Sequence, residues 1–463
     1  MSLIIPANSA AASGGYAVAN SARFQTASLK RSAGSKTNAT QATISMWFKR
    51  SDLVDCVLMQ SYTDDNNRAY IKLLSNTFYF FDKSGGTNRN YWVSTFVLRD
   101  ISAWYHLHIN IDTGNGTAAN RFIVHLNGVN QPVANFTNNA TYGSGVTSNW
   151  QQASSTNQFT IGANESVNDQ YFGGYMSEVV YLDGQVVAYD SFGEFDEDSG
   201  IWKPIDGLAD LTVGNTGFYL DFEDSSDLGA DVIGSNDFTA AGLAAIDQST
   251  DTCTNNFITM NPLDSYYSAS TFSEGNLKIV SSSGNYSPDM GTIGLSAGKW
   301  YWEVKIDTTS TEDMIGITGN QRLSSGSSTS HLGGMLYDFA YNSYAKFYNN
   351  NGNVSYGATF GNNDIIGVAL DLDSGTNTIQ FYKNGSAQGS KNITHVSSTE
   401  NGFYHVSAGD FTSGASMTFS SNFGSPSYSE SGGETDGNGY GNFAHEPPSG
   451  YYAINTKNLA EYG

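Results

Sequence analysis

One stretch of this chain dictates a β-hairpin down to its register. Between Tyr105 and Asn127, apolar residues recur at every second position on both sides of the polar loop 113–120. Leu107, Ile109 and Ile111 share one face of an extended segment, and Phe122, Val124 and Leu126 share one face of the next, because successive side chains alternate across a strand. Matching apolar face to apolar face pairs Ile111 with Phe122, Ile109 with Val124 and Leu107 with Leu126. The same register sets His108 opposite His125 on the other face. Asn127-Gly128 then provides a turn that needs positive φ. A second hairpin follows the same logic. Ile366, Val368, Leu370 and Leu372 alternate with small or polar residues, a loop begins at Asp373, and Ile379 and Phe381 alternate beyond it. The expected pairs are Leu372 with Ile379 and Leu370 with Phe381, with Asn384-Gly385 as the next turn.

Comparable segments recur at 42–49, 76–81 and 158–162, separated by turns rich in Gly, Asn and Asp, and almost no 3.6-residue period is present. The chain holds 50 Gly and 8 Pro, and charged residues make up only 14 %. Aromatic residues reach 13 %, dense enough to build cores rather than a disordered chain. The expected fold class is all-β, two antiparallel β-sandwiches joined by an irregular linker. The first sandwich spans 1–202 and the second 263–424. Between them, 203–262 reads as an acidic connector that packs on its neighbours, with one short strand at Phe218 and one helical turn at 240–245. The start of the tail, 425–463, is flexible by composition, whereas its aromatic end is expected to dock.

Acidic residues outnumber basic ones 44 to 21, giving a net charge of −23. Such a surface opposes non-specific nucleic-acid binding. No apolar run approaches ~20 residues, so no membrane-spanning helix is expected. Cys56 and Cys253 form no CxxC or metal-ligand spacing, and both are expected as unpaired thiols. The N-terminal Met1-Ser-Leu-Ile-Ile-Pro lacks a basic region and a long apolar stretch, so it does not read as a secretion signal.

Several segments carry a family resemblance. Ile44-Ser-Met-Trp-Phe-Lys, Trp104-Tyr-His-Leu, Asn120-Arg-Phe-Ile-Val-His-Leu-Asn-Gly and Phe172-Gly-Gly-Tyr-Met-Ser-Glu-Val-Val-Tyr-Leu-Asp-Gly resemble the laminin-G-like, concanavalin A-like lectin/glucanase sandwich. Gly298-Lys-Trp-Tyr-Trp-Glu-Val-Lys-Ile, Met314-Ile-Gly-Ile-Thr, Ile366-Gly-Val-Ala-Leu-Asp-Leu-Asp and Ile379-Gln-Phe-Tyr-Lys-Asn-Gly resemble a SPRY domain. The resemblance implies two related concanavalin A-like jelly rolls. Their order, with Asn215-Thr-Gly-Phe-Tyr-Leu-Asp-Phe and Thr254-Asn-Asn-Phe-Ile-Thr-Met-Asn-Pro between them and Pro447-Pro-Ser-Gly-Tyr-Tyr near the end, is similar to virion proteins of tailed bacteriophages. It implies a particle component, assembled in host cytoplasm, with other virion proteins as partners, a homo-oligomeric state and host-surface glycan as a ligand.

Three function classes follow. Glucanases of this fold resemble one another in an E-x-D-x-x-E strand whose carboxylates stand about 5–5.5 Å apart. The nearest run here, Glu194-Phe-Asp-Glu-Asp-Ser, has Ser199 at the second glutamate and reads as a loop, so no enzyme is expected. For a binder, Asp64 and Asp65 in one loop and Asn168 and Asp169 in another offer oxygens for calcium, which takes about six to eight; the same residues are ordinary turn-formers. Tyr341, Tyr344, Phe347 and Tyr348 are the candidate partner-binding aromatics, although aromatics alternating in a strand more often face a core. His108 and His125 need a third ligand to hold a metal and otherwise read as partly solvated histidines on a sheet surface. For a purely structural subunit, the two chain ends are the candidate anchors. The net charge predicts that adhesion rests on short-range contacts with little salt dependence.

Overall fold

The computed structural model describes residues 15–151, 158–164, 169–264, 270–281, 288–320, 331–411 and 416–463. It divides into two compact units. Ser13–Asn255 forms one, and Asn256–Gly463 makes up nearly all of the other. Among the described residues the single α-helix is Thr456–Tyr462, and the rest is strand, 3-10 turn and loop. No helix among them is long and apolar enough to cross a membrane.

The first unit holds two eight-stranded antiparallel sheets. The first sheet is centred on Gln41–Arg50, flanked by Trp104–Asp112 and Gly174–Asp183. The second runs Phe136–Ala140, Thr87–Val97, Thr77–Ser84, Asn67–Leu74, Cys56–Asp64, Gln158–Ile161, Ser28–Ser32 and Thr239–Ala241. One core takes Ile44, Ile109 and Val124 from the first sheet and Ile71, Phe80 and Phe159 from the second. Each fully buried side chain of this size is worth about 1.5–3 kcal/mol relative to exposure. The predicted hairpin has the predicted register: Leu107 faces Leu126, His108 faces His125, Ile109 faces Val124 and Ile111 faces Phe122. Asn127 and Gly128 turn the chain at φ 48° and 73°, the handedness that matches the twist of the strands.

Residues 203–255 belong to this unit. Phe218–Leu220 pairs with the Gly174–Asp183 strand, and Gln248–Ser249 closes the edge beside Ser21–Phe24. The expected helical turn at 240–245 is not there. Thr239–Ala241 is an edge strand on Ser28–Ser32, and the only helical geometry is the 3-10 turn Ala245–Asp247. Sheet pairing at an open edge overrides the helix preference of the four alanines in 240–245.

The second unit holds an eight-stranded and a six-stranded sheet. Trp300, Trp302 and Val304 from Lys299–Thr308 meet Ile315, Ile317 and Tyr341 from the six-stranded sheet in one core. The second hairpin keeps its predicted face but not its register. Val368, not Leu370, pairs with Phe381, and Leu370 pairs with Ile379. Leu372 has left the ladder to donate its backbone N–H to Gly298 O at 2.9 Å, and Asp371 accepts from Asp373 N, Ser374 N and Ser374 Oγ. The loop therefore starts one residue earlier than predicted, and a shift of two residues preserves the buried face.

The tail is built in rather than loose. Phe443 is fully buried against Tyr301, Phe257 and Ala453 on the outer face of the eight-stranded sheet. Asp436 accepts from Asn438 N, Tyr440 N, Ala453 N and Asn458 Nδ2. Two such anchors outweigh the Ser/Gly composition around them.

Candidate functional site

The outer face of the first unit's second sheet carries the most ligand-ready arrangement of side chains. Its inner face buries Phe78, Phe80 and Trp92, so alternation turns Tyr79, Phe81 and Tyr91 outward. Register then lines up one row across the sheet: Lys30, Thr160, Gln60, Tyr70, Phe81 and Tyr91. Gln60 and Thr160 are buried, while Tyr79, Phe81 and Tyr91 are half-buried. Asn164 and Gln170 border the Gln60 end, with Gln60 Nε2 donating to Asn164 Oδ1 at 3.5 Å and Asn164 Nδ2 to Gln170 Oε1 at 3.0 Å.

The aromatic part is continuous. Tyr70 and Phe81 lie 6.2 Å apart and nearly parallel, and Tyr91 meets Tyr79 edge-on at 5.3 Å and Phe81 edge-on at 6.2 Å. Two cations flank the Tyr70 ring: Lys72 Nζ at 4.1 Å and the Arg68 guanidinium at 5.7 Å from its centroid, within the range of favourable cation–π attraction. Lys72 Nζ donates to Gln170 Oε1 at 3.0 Å, and Arg68 pairs with Asp65. Burial lowers the Lys72 pKa, and the like charge of Arg68 lowers it further. Burial and the neighbouring Tyr91 push the Tyr79 hydroxyl up to about 12, so it stays a hydrogen-bond donor at neutral pH. Flat apolar rings, phenol donors and fixed cations on a rigid sheet are the chemistry of a binding surface.

The residues singled out from sequence fall elsewhere. Tyr341 and Phe347 face the second unit's main core, and Tyr348 packs with Met314, Leu332 and Phe411. Only Tyr344 is exposed, at 53 %. Asp64 caps its own turn, accepting from Asn66 N and Asn67 Nδ2, and Asp65 holds Arg68. Asp169 bridges to Asn164, and Asn168 lies outside the described residues. Among the described residues no group of three or more His, Cys, Asp or Glu is placed to hold a metal ion. Glu194 and Asp196 both pair with Lys203, at 3.4 and 3.1 Å, on the hairpin formed by Gly193–Phe195 and Trp202–Pro204. Of the run read as a loop, Asp196–Ser199 form the loop of this two-stranded ribbon, and only Glu194 and Phe195 are paired in its strand.

The histidine pair is a correction. His108 and His125 are buried, not partly solvated, because the segment 187–204 crosses this face of the first sheet. Their Nδ1 atoms lie 3.3 Å apart, His125 stacks on Tyr189 at 4.3 Å and His108 packs on Phe192 at 5.3 Å. Hydrogen bonding sets the tautomers. His108 Nε2–H donates to Val187 O at 3.1 Å, so its Nδ1 accepts from His125 Nδ1–H. Trp202 Nε1 donates to His106 Nδ1 at 2.9 Å, which leaves His106 Nε2–H for Ser45 Oγ. Burial lowers all three pKa values, that of His108 to about 3. The cluster is a neutral clamp for the covering segment.

Buried carboxylates escaped sequence reasoning, Glu178, Glu303 and Asp82 among them. Glu178 sits at φ 50° in an irregularity of its strand, accepts from Tyr219 OH at 2.8 Å, and is pushed up to about 7 by burial. Glu303 accepts from Tyr301 OH, Asn422 Nδ2, Ala444 N and His445 N and so pins the tail; burial raises it to about 7. The outer aromatic row was missed as well. Its signal is the run Phe78-Tyr-Phe-Phe, four consecutive aromatics that alternation must divide between two faces.

Two family models match the chain, one in each unit. Residues 21–187 match the model of the concanavalin A-like lectin/glucanases superfamily, and residues 299–422 match that of the SPRY domain. No curated protein matches the chain. Among solved structures, the SPRY domain of human HERC1 aligns at 16 % identity and a TM-score of 0.28, covering 35 % of this chain and 96 % of its own. A SAP-like pentraxin from Limulus polyphemus aligns at 13 % identity and 0.27, covering 43 % and 92 %. A protein from Bacteroides ovatus described as carbohydrate binding aligns at 14 % identity and 0.35, covering 49 % of this chain and 59 % of its own. This chain carries a laminin-G-like, concanavalin A-like domain followed by a SPRY domain.

Proposed function

We propose that the protein is a non-enzymatic virion component of a tailed bacteriophage, displayed on the particle as a fibre, spike or head-fibre adhesin, that binds host-surface glycan through the outer face of the second sheet. The observation that carries the glycan reading is the half-buried row of Tyr79, Phe81 and Tyr91 beside Tyr70. Ring faces of this kind match the C–H face of a pyranose, and the phenols and cations around them match its hydroxyls. The virion reading rests on the resemblance in domain order. A single site of this size is weak, and a homo-oligomer on a particle multiplies it by raising the effective concentration.

A glycan array probed with the native oligomer and with the Tyr79→Ala/Tyr91→Ala variant tests the binding reading. The native protein should retain sugar that the variant does not, and no reducing sugar should be released. Sugar release would replace this reading with a hydrolase. Labelled-antibody electron microscopy of intact particles tests the display. Outward label supports an adhesin, and label buried among other subunits together with no cell binding would make the protein a decoration or assembly subunit.

A further inference from the structure

The acidic chain places a local positive pair inside its aromatic face. Arg68 and Lys72 project on the same side of one strand and flank one tyrosine ring. Lys83 stands directly across from Arg68 on the neighbouring strand. In a chain of net charge −23, grouping like charges is unfavourable unless something compensates it. Asp65 pairs with Arg68. The hydrogen bond of Lys72 goes instead to a neutral amide, Gln170, and Lys72 feels the charge of Arg68 more strongly than that of Asp169 or Asp55.

Resting on the glycan reading above, we propose that this face is selective for acidic polysaccharide, with the carboxylate of a hexuronic acid lying between the Arg68 guanidinium and the Lys72 ammonium beside Tyr70. Charge complementarity chooses an anion. The half-buried rings of Tyr79 and Phe81 next to it choose a sugar over an acidic peptide, because a pyranose has a flat apolar face to lay on them. Arg68 gives a planar fork for a carboxylate and Lys72 a point charge. The net charge of the chain repels such a polymer at long range, and the pair acts only within about a Debye length, ~8 Å at physiological salt. Binding should therefore weaken as salt rises, unlike the salt-insensitive adhesion expected from net charge alone.

The test is titration of the full chain with a panel of uronate-bearing oligosaccharides, their neutral counterparts and poly-glutamate, at low and high salt. Arg68→Gln/Lys72→Gln and Tyr79→Ala are tested alongside, with melting curves to confirm folding. The expected result is uronate binding about tenfold tighter than neutral sugar, reduced to the neutral level by the double substitution and by salt. Neutral sugar bound equally well, and lost in Tyr79→Ala, would overturn the acidic class and leave the glycan face standing. Poly-glutamate bound as tightly as uronate would make the occupant an acidic polypeptide. No binding by any probe would overturn both readings.

Discussion

The buried histidines make the first unit sensitive to acid, and His108 allows the effect to be isolated. An imidazole free in the unfolded chain titrates near ~6.5, whereas burial holds His108 at about 3 in the fold. The folded pKa is the lower one, so the unfolded chain binds more protons and stability rises with pH. The contribution is complete above the unfolded value and is lost as pH falls from about 6.5 towards 3. At pH 5 the unfolded ring is protonated roughly thirtyfold over neutral while the folded ring stays neutral, a loss of about 2 kcal/mol. Glu178 and Asp82, raised to about 7 and about 6 by burial, act in the opposite direction, since their folded forms take up protons first. A single melting curve would therefore mix the terms. The comparison is native protein against His108→Gln, whose amide keeps a donor for Val187 O. Calorimetry of both at pH 8 and pH 5 gives the double difference. For a unit of roughly 240 residues, 2 kcal/mol corresponds to about 4 °C in melting temperature. The native protein should lose that much more than the variant on acidification. Parallel losses would mean that His108 titrates as a free histidine and that the covering segment does not seal it.

Other outcomes follow from single contacts. Ile109→Asp should unfold the first unit, read by loss of near-ultraviolet circular dichroism, because an unpaired carboxylate would face Val124 in a dry core. Glu303→Ala leaves the N–H groups of Ala444 and His445 without their acceptor; a loss of about 1–3 kcal/mol should appear as faster proteolysis within 425–446. Gly128→Ala should destabilise more than Gly385→Ala in thermal melts. Both positions have positive φ, but a Cβ at 128 would enter the Trp202 ring, whereas at 385 it would stop 3.1 Å from the His445 ring.

Period-two patterning made the sandwiches legible and placed Ile109 against Val124, because one face of each strand is apolar and the other is not. It could not set the register of the second hairpin. Pairings two residues apart bury the same side chains, and the choice fell to the bonds of Asp371 and Leu372 in the loop. Nor could it see what lies over a sheet. His108 and His125 sit on the expected face, but the segment that buries them comes from some 80 positions downstream of His108. The same limit hid the aromatic face. Tyr70, Phe81 and Tyr91 are neighbours only through strand pairing, whereas Tyr341 and Phe347, closely spaced in sequence, turn into a core.

A hydrogen-exchange footprint of the native protein, with and without purified host-surface polysaccharide, locates the glycan-binding face. Protection should concentrate on Asn67–Leu74, Thr77–Ser84 and Thr87–Val97. Protection confined to the SPRY domain around Tyr344, with those three strands unchanged, would contradict that placement.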